Sequence, residues 1–290
     1  MIDNKNGDIR QFLFEEPGER TKRTIRIATA VSLVLLAAVL GAVIRQFYRT
    51  GQLDAKYWRI FIRWTTWRFL ARGLAGTLEA AAMAGVMAFA AGFCLMYGRI
   101  SRFRWLRTLC TALIEFTRGV PTLLFIYFFF LVAPQLGIKL AAFWKISIPV
   151  AISACGVVAE VLRSGVNAVP RGQREAAMAI GMRDSHAFFK VIFPQAFRYV
   201  VPALISELVI VVKDTTFAYV VNFPDLMQNA RVLISNYDAL LSTYLVVAVI
   251  YILINYLLNK ASDAAARRMR NTGTAAAPEM QTGAGEGAGV

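Results

Sequence analysis

The sequence predicts an all-α membrane protein with about six transmembrane helices. Of its 290 residues, 57% are hydrophobic, whereas soluble globular chains usually contain about 45–50%. Two apolar runs, 27–44 and 240–258, contain no charged residue. Each approaches the roughly 20 residues needed to cross the hydrocarbon core of a bilayer. A buried core helix in a large soluble protein is the alternative interpretation of such runs.

Charge and cysteine content exclude several other classes. The net charge of +14 would suggest nucleic-acid binding in a soluble protein. In a membrane chain it indicates instead a positive-inside bias and contact with anionic lipid, so no nucleic-acid partner is expected. Cys94, Cys110 and Cys155 are scattered through predicted spans, and the chain has one histidine. Neither a disulfide framework nor a metal site is therefore predicted.

The N-terminal region predicts a tail followed by a membrane anchor. Residues 1–24 are polar and predict a cytoplasmic tail, and 25–44 predicts the first span. Lys22 and Arg23 precede this apolar stretch, as they would in a cleaved signal peptide. Because the stretch is long and no small-residue cleavage motif follows it, an uncleaved anchor is favoured.

Residues 45–72 form a basic and aromatic segment between the first two predicted spans. The segment contains Trp58, Trp64 and Trp67. Tryptophan and basic residues are enriched where a chain meets the membrane surface. We therefore predict an amphipathic interfacial segment here rather than a span.

Five further spans are predicted within 73–260, at 73–97, 109–133, 144–165, 197–221 and 240–258. Gly119 and Pro121 predict a kink in the second of these five spans. Before the last span, a partial helix is expected to start near Pro224 and Asp225. Residues 261–290 end in Gly, Ala and Thr and predict a disordered cytoplasmic tail.

The distribution of basic residues predicts the orientation of the chain. Six spans place both termini on the same side of the membrane. If the polar segment 166–196 is cytoplasmic, about twice as many basic residues lie inside as outside, as the positive-inside rule requires. The basic segment 45–72 would then lie outside, which is an exception to that bias.

The polar segment 166–196 interrupts the apolar pattern with two predicted short helices. Residues 173–180 form the first helix, with Ala176, Ala177 and Ile180 on one face. Gly181 is expected to end it in a left-handed conformation.

Asp184 or Ser185 is then expected to cap the second short helix. The apolar face of this helix comprises Ala187, Phe188, Val191 and Ile192, and Pro194 closes the segment. Small alanines and bulky apolar residues on short helices indicate docking of a helix into a partner's groove.

The polar segment resembles the EAA loop of ABC importer permeases. The matching residues are Glu175-Ala176-Ala177, Gly181 and Val191-Ile192-Phe193-Pro194. Four other stretches resemble permeases for polar amino acids of the histidine, glutamine and glutamate type. They are EFTRGVP at 115–121, EVLRSG at 160–165, VPRGQ at 169–173 and KDTTFA at 213–218. Arg183 departs from the family, which usually has a capping Ser or Thr there, so Asp184 is expected to cap instead.

This resemblance implies a five-helix type I ABC importer permease core with an extra N-terminal span. The polar segment would be the coupling loop that docks on a cytoplasmic ATPase subunit. The residues implied in coupling are Glu175, Ala176, Ala177, Gly181, Asp184, Phe188 and Pro194. The implied partners are two ATPase subunits, an identical or related second permease, an external amino-acid-binding protein and membrane lipid.

The resemblance also implies that this chain is a non-enzymatic subunit of the bacterial cytoplasmic membrane. The sequence contains no phosphate-binding G-x-x-x-x-G-K-[ST] loop. We therefore expect no cofactor on this chain, and ATP and magnesium on the partner ATPase.

Polar residues within or near the predicted spans are the candidate transport residues. They are Glu115, Arg118, Glu160, Arg163, Glu207, Lys213, Asp214, Thr215 and Thr216. Charged groups are costly in a membrane, so they either pair with one another or line a polar path. In the first interpretation Arg118 or Lys213 pairs with one of the three glutamates. In the second interpretation these residues contact substrate. The positive charges of Arg118 and Lys213 would then favour an acidic amino acid such as glutamate.

Two other classes of function are alternatives, an ion-driven secondary transporter and a membrane enzyme. A secondary transporter driven by an ion gradient would show inverted repeats, and no convincing repeat is visible in the two halves. A membrane enzyme would need a catalytic constellation, and the sequence contains no Ser/His/Asp, Cys/His or His-rich cluster.

Overall fold

The computed structural model describes residues 18–274, and this part of the chain is helical without a β-strand. The described residues divide into two compact units, 18–58 and 59–274. The predicted tail at 1–24 falls mostly outside the described residues, as does 275–290.

The first unit consists mainly of one apolar helix. Helix α1 comprises Glu19–Arg49, and a short helix α2 comprises Ala55–Trp58. Every side chain from 25 to 44 is exposed, and the most apolar 18-residue window has a mean hydropathy of 2.7. An apolar helix that its own unit leaves uncovered requires lipid around it. The helix therefore has the length and composition predicted for the first span.

The second unit contains nine α-helices in its described part. They are α3 Trp64–Arg99, α4 Arg104–Gly119, α5 Thr122–Tyr127, α6 Ala142–Ala168, α7 Arg171–Ala179, α8 Asp184–Ala187, α9 Phe193–Asp214, α10 Leu226–Tyr237 and α11 Leu240–Thr274. Short π-helical turns at Phe128–Val132 and Phe188–Ile192 and 3-10 turns at Ala133–Leu136 and Thr215–Val221 continue some of them. Helices α3, α6, α9 and α11 correspond to predicted spans.

The segment 45–72 differs from the single interfacial stretch that was expected. Helix α1 continues to Arg49, and α3 already begins at Trp64. The 3-10 turn Arg59–Ile62 precedes α3 and is fixed to its first turn, because Thr66 Oγ1 donates a hydrogen bond to the Ile60 carbonyl over 2.7 Å. The Trp67 indole N–H similarly donates to the Phe61 carbonyl. These local bonds lengthen α3 beyond the apolar run.

The predicted kink at Gly119–Pro121 is present and is sharp. Helix α4 and the helical stretch Thr122–Leu136 are bent by 95°. Val120 is extended, with φ −93° and ψ 126°, as expected for a residue before proline. Residues 18–274 therefore contain five helices long and apolar enough to span a membrane, or six if this bent pair counts as one span.

The C-terminal helix is longer than predicted. Helix α11 continues through Thr274, whereas a disordered tail was expected from residue 261. The stretch 261–270, ASDAAARRMR, contains four alanines and three arginines. Alanine and arginine have high helix propensity, so the helix extends past the apolar run.

Small residues allow α3, α4 and α6 to pack closely. A Cβ atom on Gly92 of α3 would lie 2.7 Å from the Cys155 carbonyl oxygen of α6, and one on Gly156 would lie closer still to Thr117 Oγ1 of α4. Both contacts are shorter than real Cβ atoms permit. This close packing, typical of helices in lipid, brings the end of α4 against α6 and positions their polar residues together.

The end of this unit remote from the polar segment, here called the opposite end, is fixed by hydrogen bonds of buried side chains. The Gln228 N–H donates to Asp225 Oδ1 over 2.7 Å, so Asp225 caps α10, which begins where the partial helix was expected. The Leu226 N–H donates to Thr77 Oγ1 over 3.0 Å, and Asn229 Nδ2 donates to the Phe69 carbonyl over 2.8 Å. These bonds attach α10 to α3.

Candidate coupling and translocation sites

The polar segment contains the predicted hinge at Gly181. Helix α7 ends at Ala179, and Gly181 has a φ of +79°. The Gly181 N–H donates to the Met178 carbonyl over 3.0 Å, and the Met182 N–H donates to the Ala177 carbonyl over 3.1 Å. Apart from Gly181 itself and its two chain neighbours, no described residue has an atom within 4 Å of a Cβ built there. Glycine is therefore required by the left-handed backbone rather than by crowding.

The alanine face of α7 is divided between the interior and solvent. Ala177 is buried, whereas Glu175 and Ala176 are exposed. Ile180 is 79% exposed and Met178 is 44% exposed. Ala177 thus fixes α7 on the bundle, and the exposed apolar side chains are available for a partner.

The second short helix differs from the prediction at its first residue. Helix α8 begins at Asp184, and extended Arg183 precedes it without a capping side-chain bond. Neither Asp184 nor Ser185 is the N-cap, so the predicted cap is wrong. Asp184 Oδ1 instead accepts a bond from Arg174 Nη2 over 3.3 Å, and Asp184 Oδ2 forms an ion pair with Arg102.

The bulky face expected to fill a partner's groove is packed inside this chain. Phe188 is 7% exposed and Ala187 and Ile192 are also buried. The Phe188 ring lies 5.2 Å from the Tyr97 ring and 5.8 Å from the Phe193 ring, between centroids. Phe188 is therefore an anchor of the polar segment, and its predicted place on the docking surface is wrong. Pro194 is exposed in the first turn of α9.

Glu160 of α6 is the centre of the first intramembrane charge cluster. Arg163 Nε donates to Glu160 Oε2 over 2.8 Å, and Arg99 donates to Glu160 Oε1. Arg118 Nη1 lies 3.9 Å from Glu160 Oε1 and 3.5 Å from Glu115 Oε1. The predicted pairing of Arg118 with glutamates is therefore observed.

Arg99 is the member of this Glu160 cluster that the sequence did not indicate. It is the last residue of α3 and was not among the candidate transport residues. The cluster combines three guanidinium groups with two carboxylates, of which only Glu160 is largely buried. Loss of the Glu160 charge would leave like charges close together in a partly buried site.

A second polar group lies where α5 meets α6 and α9. Thr122 Oγ1 donates to Asp214 Oδ2 over 2.8 Å and lies 2.8 Å from Ser153 Oγ. Ser153 precedes Glu160 by seven residues, or about 10 Å along a helix. The second group is therefore separate from the Glu160 cluster.

The remaining candidates do not form the predicted pairs. Lys213 is exposed, and no carboxylate in residues 18–274 is within ion-pair distance of it. Glu207 is 8% exposed. Thr215 Oγ1 and Thr216 Oγ1 donate to the Val212 and Lys213 carbonyls over 2.8 Å and 2.6 Å. Pairing of Lys213 with Glu207 is thus wrong, and both threonines bond their own helix.

One exposed acid within the apolar helix α3 was not among the predicted residues. Glu79 lies beside an open, mostly apolar groove lined by Ala82, Met83, Val86 and Phe143. A lone carboxylate inside the predicted span 73–97 is the signal that could have identified it.

Comparison with known proteins identifies the family. Residues 84–271 match the family described as the binding-protein-dependent transport system inner membrane component. The chain belongs to this family. Its members are transport subunits rather than enzymes, and they work with an ATPase and a substrate-binding protein in the bacterial inner membrane.

Individual relatives extend over most of the chain. The glutamate transport system permease protein GluD of Corynebacterium glutamicum is 34% identical over 224 residues, covering 76% of this chain and 82% of that protein. The arginine transport system permease protein ArtQ of Bacillus subtilis is 28% identical over 213 residues, covering 70% of this chain and 93% of the relative.

Solved structures support the predicted fold. The crystal structure of an amino acid ABC transporter with histidines has a TM-score of 0.65 and 28% identity, covering 69% of this chain and 94% of that chain. An inward-facing methionine ABC transporter, MetNI, has a TM-score of 0.62 at 20% identity, which supports the fold alone. The resemblance to amino-acid ABC permeases is confirmed, and the ABC mechanism is favoured over an ion-driven secondary transporter.

Proposed function

We propose that this protein is the membrane-spanning subunit through which an ATP-driven importer moves a polar amino acid. The observation that carries the proposal is the form of the polar segment. Ala177 and Phe188 fix it on the bundle, while Ile180 and Met178 remain exposed beside the Gly181 turn. Such a fixed but protruding apolar surface fits a groove on a soluble partner.

The proposed partner at this surface is a cytoplasmic ATPase subunit, present in two copies. ATP and magnesium bind to those subunits, because this chain contains no phosphate-binding loop. The polar segment and both termini then lie in the cytoplasm, in agreement with the distribution of basic residues. A second permease, identical or related, and an external binding protein complete the assembly, and lipid surrounds α1.

Glutamate is the proposed first substrate to test. The relatives named above are described as transporting glutamate and arginine, so their names do not agree on the substrate's charge. Lys213 supplies an exposed ammonium group on α9, and an unpaired cation in a membrane path favours a carboxylate-bearing ligand. Asp214, the next residue along α9, belongs to the group with Thr122 and Ser153, whose polar atoms offer further hydrogen-bonding partners for an amino acid.

The test is uptake by proteoliposomes that contain the purified permease, its ATPase and its binding protein. Labelled glutamate is offered with and without ATP inside the vesicles, and unlabelled amino acids compete as a panel. We expect ATP-dependent uptake, with polar amino acids as the strongest competitors. Uptake that needs an ion gradient and no ATP would refute the proposed mechanism, and competition by a different amino acid would correct the substrate alone.

A further inference from the structure

Asp184 joins three parts of the second unit at the foot of the polar segment. Its two carboxylate oxygens bind different arginines: Arg174 on α7, at 3.3 Å, and Arg102 in the turn between α3 and α4. Asp184 itself is the first residue of α8. A single carboxylate therefore connects both short helices of the polar segment with the turn that follows α3.

This charged connection bypasses the backbone turn between α7 and α8. The backbone between α7 and α8 passes through the left-handed Gly181 and extended Arg183, where no side chain caps α8. A push on α7 could therefore be absorbed by rotation at this turn. The Asp184 ion pairs give α7 a second mechanical connection that does not pass through the turn.

Other contacts hold α7 without reaching the α3–α4 turn. Gln195 Nε2 donates to Gln173 Oε1 over 3.1 Å, and this bond connects α7 with α9. Ala177, on the inner face of α7, is buried. Among the ion pairs of the described residues, only those of Asp184 link α7 with the turn containing Arg102.

The exposure of these side chains indicates what the ion pairs can do. Arg102 is 84% exposed, Arg174 is 63% exposed and Asp184 is 30% exposed. Exposed ion pairs add little to folding stability. We therefore expect their loss to leave the fold intact and to alter the orientation of α7.

We propose that Asp184 is a positioning residue that transmits movement of α7 to α3 and α4 through Arg102. The inference rests on the proposed function, in which an ATPase moves α7. Helix α3 ends at Arg99, which binds Glu160 of α6. Movement passed to the α3–α4 turn would thus reach the Glu160 cluster. Without the Asp184 bonds, the Gly181 turn would absorb it.

The test compares Asp184→Asn and Asp184→Arg with the native protein in the assembled transporter. The quantity measured is the number of ATP molecules hydrolysed for each amino acid transported in proteoliposomes. We expect hydrolysis to persist and this ratio to rise by up to about fivefold, because exposed ion-pair networks shift equilibria on this scale. Asp54→Asn, which removes another exposed aspartate paired with Lys56, should leave the ratio unchanged.

A charge exchange distinguishes positioning from a general structural effect. Arg102→Glu combined with Asp184→Arg restores an ion pair between the same two positions and should recover part of the native ratio. Arg102→Gln removes the same ion pair by changing the arginine. If Asp184→Arg is not recovered from membranes, a raised ratio in Arg102→Gln supports the positioning role and a native ratio contradicts it. High salt should raise the ratio of the native protein and have less effect on Asp184→Asn.

The outcomes separate this inference from the proposed function. If the native assembly transports without ATP, the proposed function fails. If the native assembly is ATP-driven and Asp184→Asn has the native ratio, only the role of Asp184 fails. Parallel loss of hydrolysis and transport at an unchanged ratio would also overturn it, because the residue would then act in assembly.

Discussion

The two ends of the larger unit are held together by different kinds of contact. At the loop end, which contains the polar segment, Glu160 and Asp184 bind arginines that remain at least partly exposed. At the opposite end, Thr77 and Asn229 are buried and bond to backbone groups of neighbouring elements. The first set is charged and accessible, and the second is neutral and enclosed.

This difference assigns the two ends different physical tasks. A buried donor that loses its acceptor costs about 1–3 kcal/mol, so the opposite end resists rearrangement. An exposed ion pair contributes about 0–1 kcal/mol, so the loop end can exchange partners at low cost. We therefore expect substitutions at the loop end to alter transport more than stability, and substitutions at the opposite end to do the reverse.

Gly181→Arg is the loop-end substitution with the largest expected effect. A side chain at φ +79° costs on the order of 1–2 kcal/mol, and an arginine would also project from the docking turn. We expect ATP-driven uptake to fall by about tenfold or more, with normal membrane insertion. Uptake and protein abundance in membranes are measured together.

Gly172→Arg is the matched control for this substitution. Gly172 is in the same helix, also has open space around its Cβ position and has no positive φ. It should keep most of its uptake. Normal uptake by Gly181→Arg would remove the coupling role of the turn.

Glu160→Gln tests whether charge balance in the Glu160 cluster is needed for transport. The substitution leaves Arg99, Arg118 and Arg163 without their shared carboxylate, and the repulsion among them should separate α3, α4 and α6. We expect uptake to fall by roughly tenfold, a loss on the scale of about 1.4 kcal/mol. Transport is measured beside the melting temperature in detergent.

A second substitution distinguishes charge from packing at this cluster. Glu160→Gln combined with Arg99→Gln removes one positive charge and should recover part of the uptake. If the double variant is no better than the single one, charge excess is not the cause of the defect.

Thr77→Val tests the opposite end with a side chain of similar shape. Valine removes the acceptor for the Leu226 N–H in a fully buried site. The loss should be about 2 kcal/mol, which corresponds to a fall in melting temperature of roughly 5 °C for a chain of this size. The ATP used per amino acid transported should stay at the native value.

Thr111→Val provides the comparison at a surface site. Thr111 Oγ1 donates only to the Arg107 carbonyl within its own helix, so its replacement should change the melting temperature little. A rise in ATP consumption per transported molecule in Thr77→Val would contradict the separation of tasks between the two ends.

Local sequence chemistry predicted the parts of this structure that depend on one segment of chain. Apolar runs identify spans because a helix in lipid must be apolar along its whole length. Pro121, Gly181 and Asp225 act within a few residues of themselves, as a kink, a left-handed turn and a cap. The kink, the left-handed turn and the start of α10 could therefore be predicted without knowledge of any residue distant in sequence.

Contacts between distant segments were not predictable in the same way. The sequence pattern around Phe188 predicts an apolar helix face. The pattern is the same whether a partner protein covers that face or, as here, Tyr97 of the same chain does. The bonds of Arg99 with Glu160 and of Arg102 with Asp184 join residues far apart in sequence. Their geometry depends on the packing of α3 against α6, which periodicity does not specify.

Asp225→Asn sharpens the comparison through pH. Burial raises the pKa of the Asp225 carboxyl from 3.8 to about 6, so folding favours its protonated form. The associated stability is fully present below about pH 3.8 and is lost as the pH rises through about 6. Asparagine keeps an oxygen that can accept the Gln228 N–H bond and does not titrate. We therefore expect the free energy of unfolding of the native protein to fall by about 1 kcal/mol between pH 5 and pH 7. The variant should not show this fall.

The measurement is the melting temperature of both proteins in detergent at several pH values between 4.5 and 7.5. Asp263→Asn, on the far part of α11, is the control for removal of a carboxylate from a helix without burial. Because the opposite end carries this buried acid, its stability should depend on pH more than that of the exposed ion pairs at the loop end. If the melting temperatures of the native protein and Asp225→Asn change equally with pH, ionisation of Asp225 does not affect the stability of the opposite end and the prediction fails.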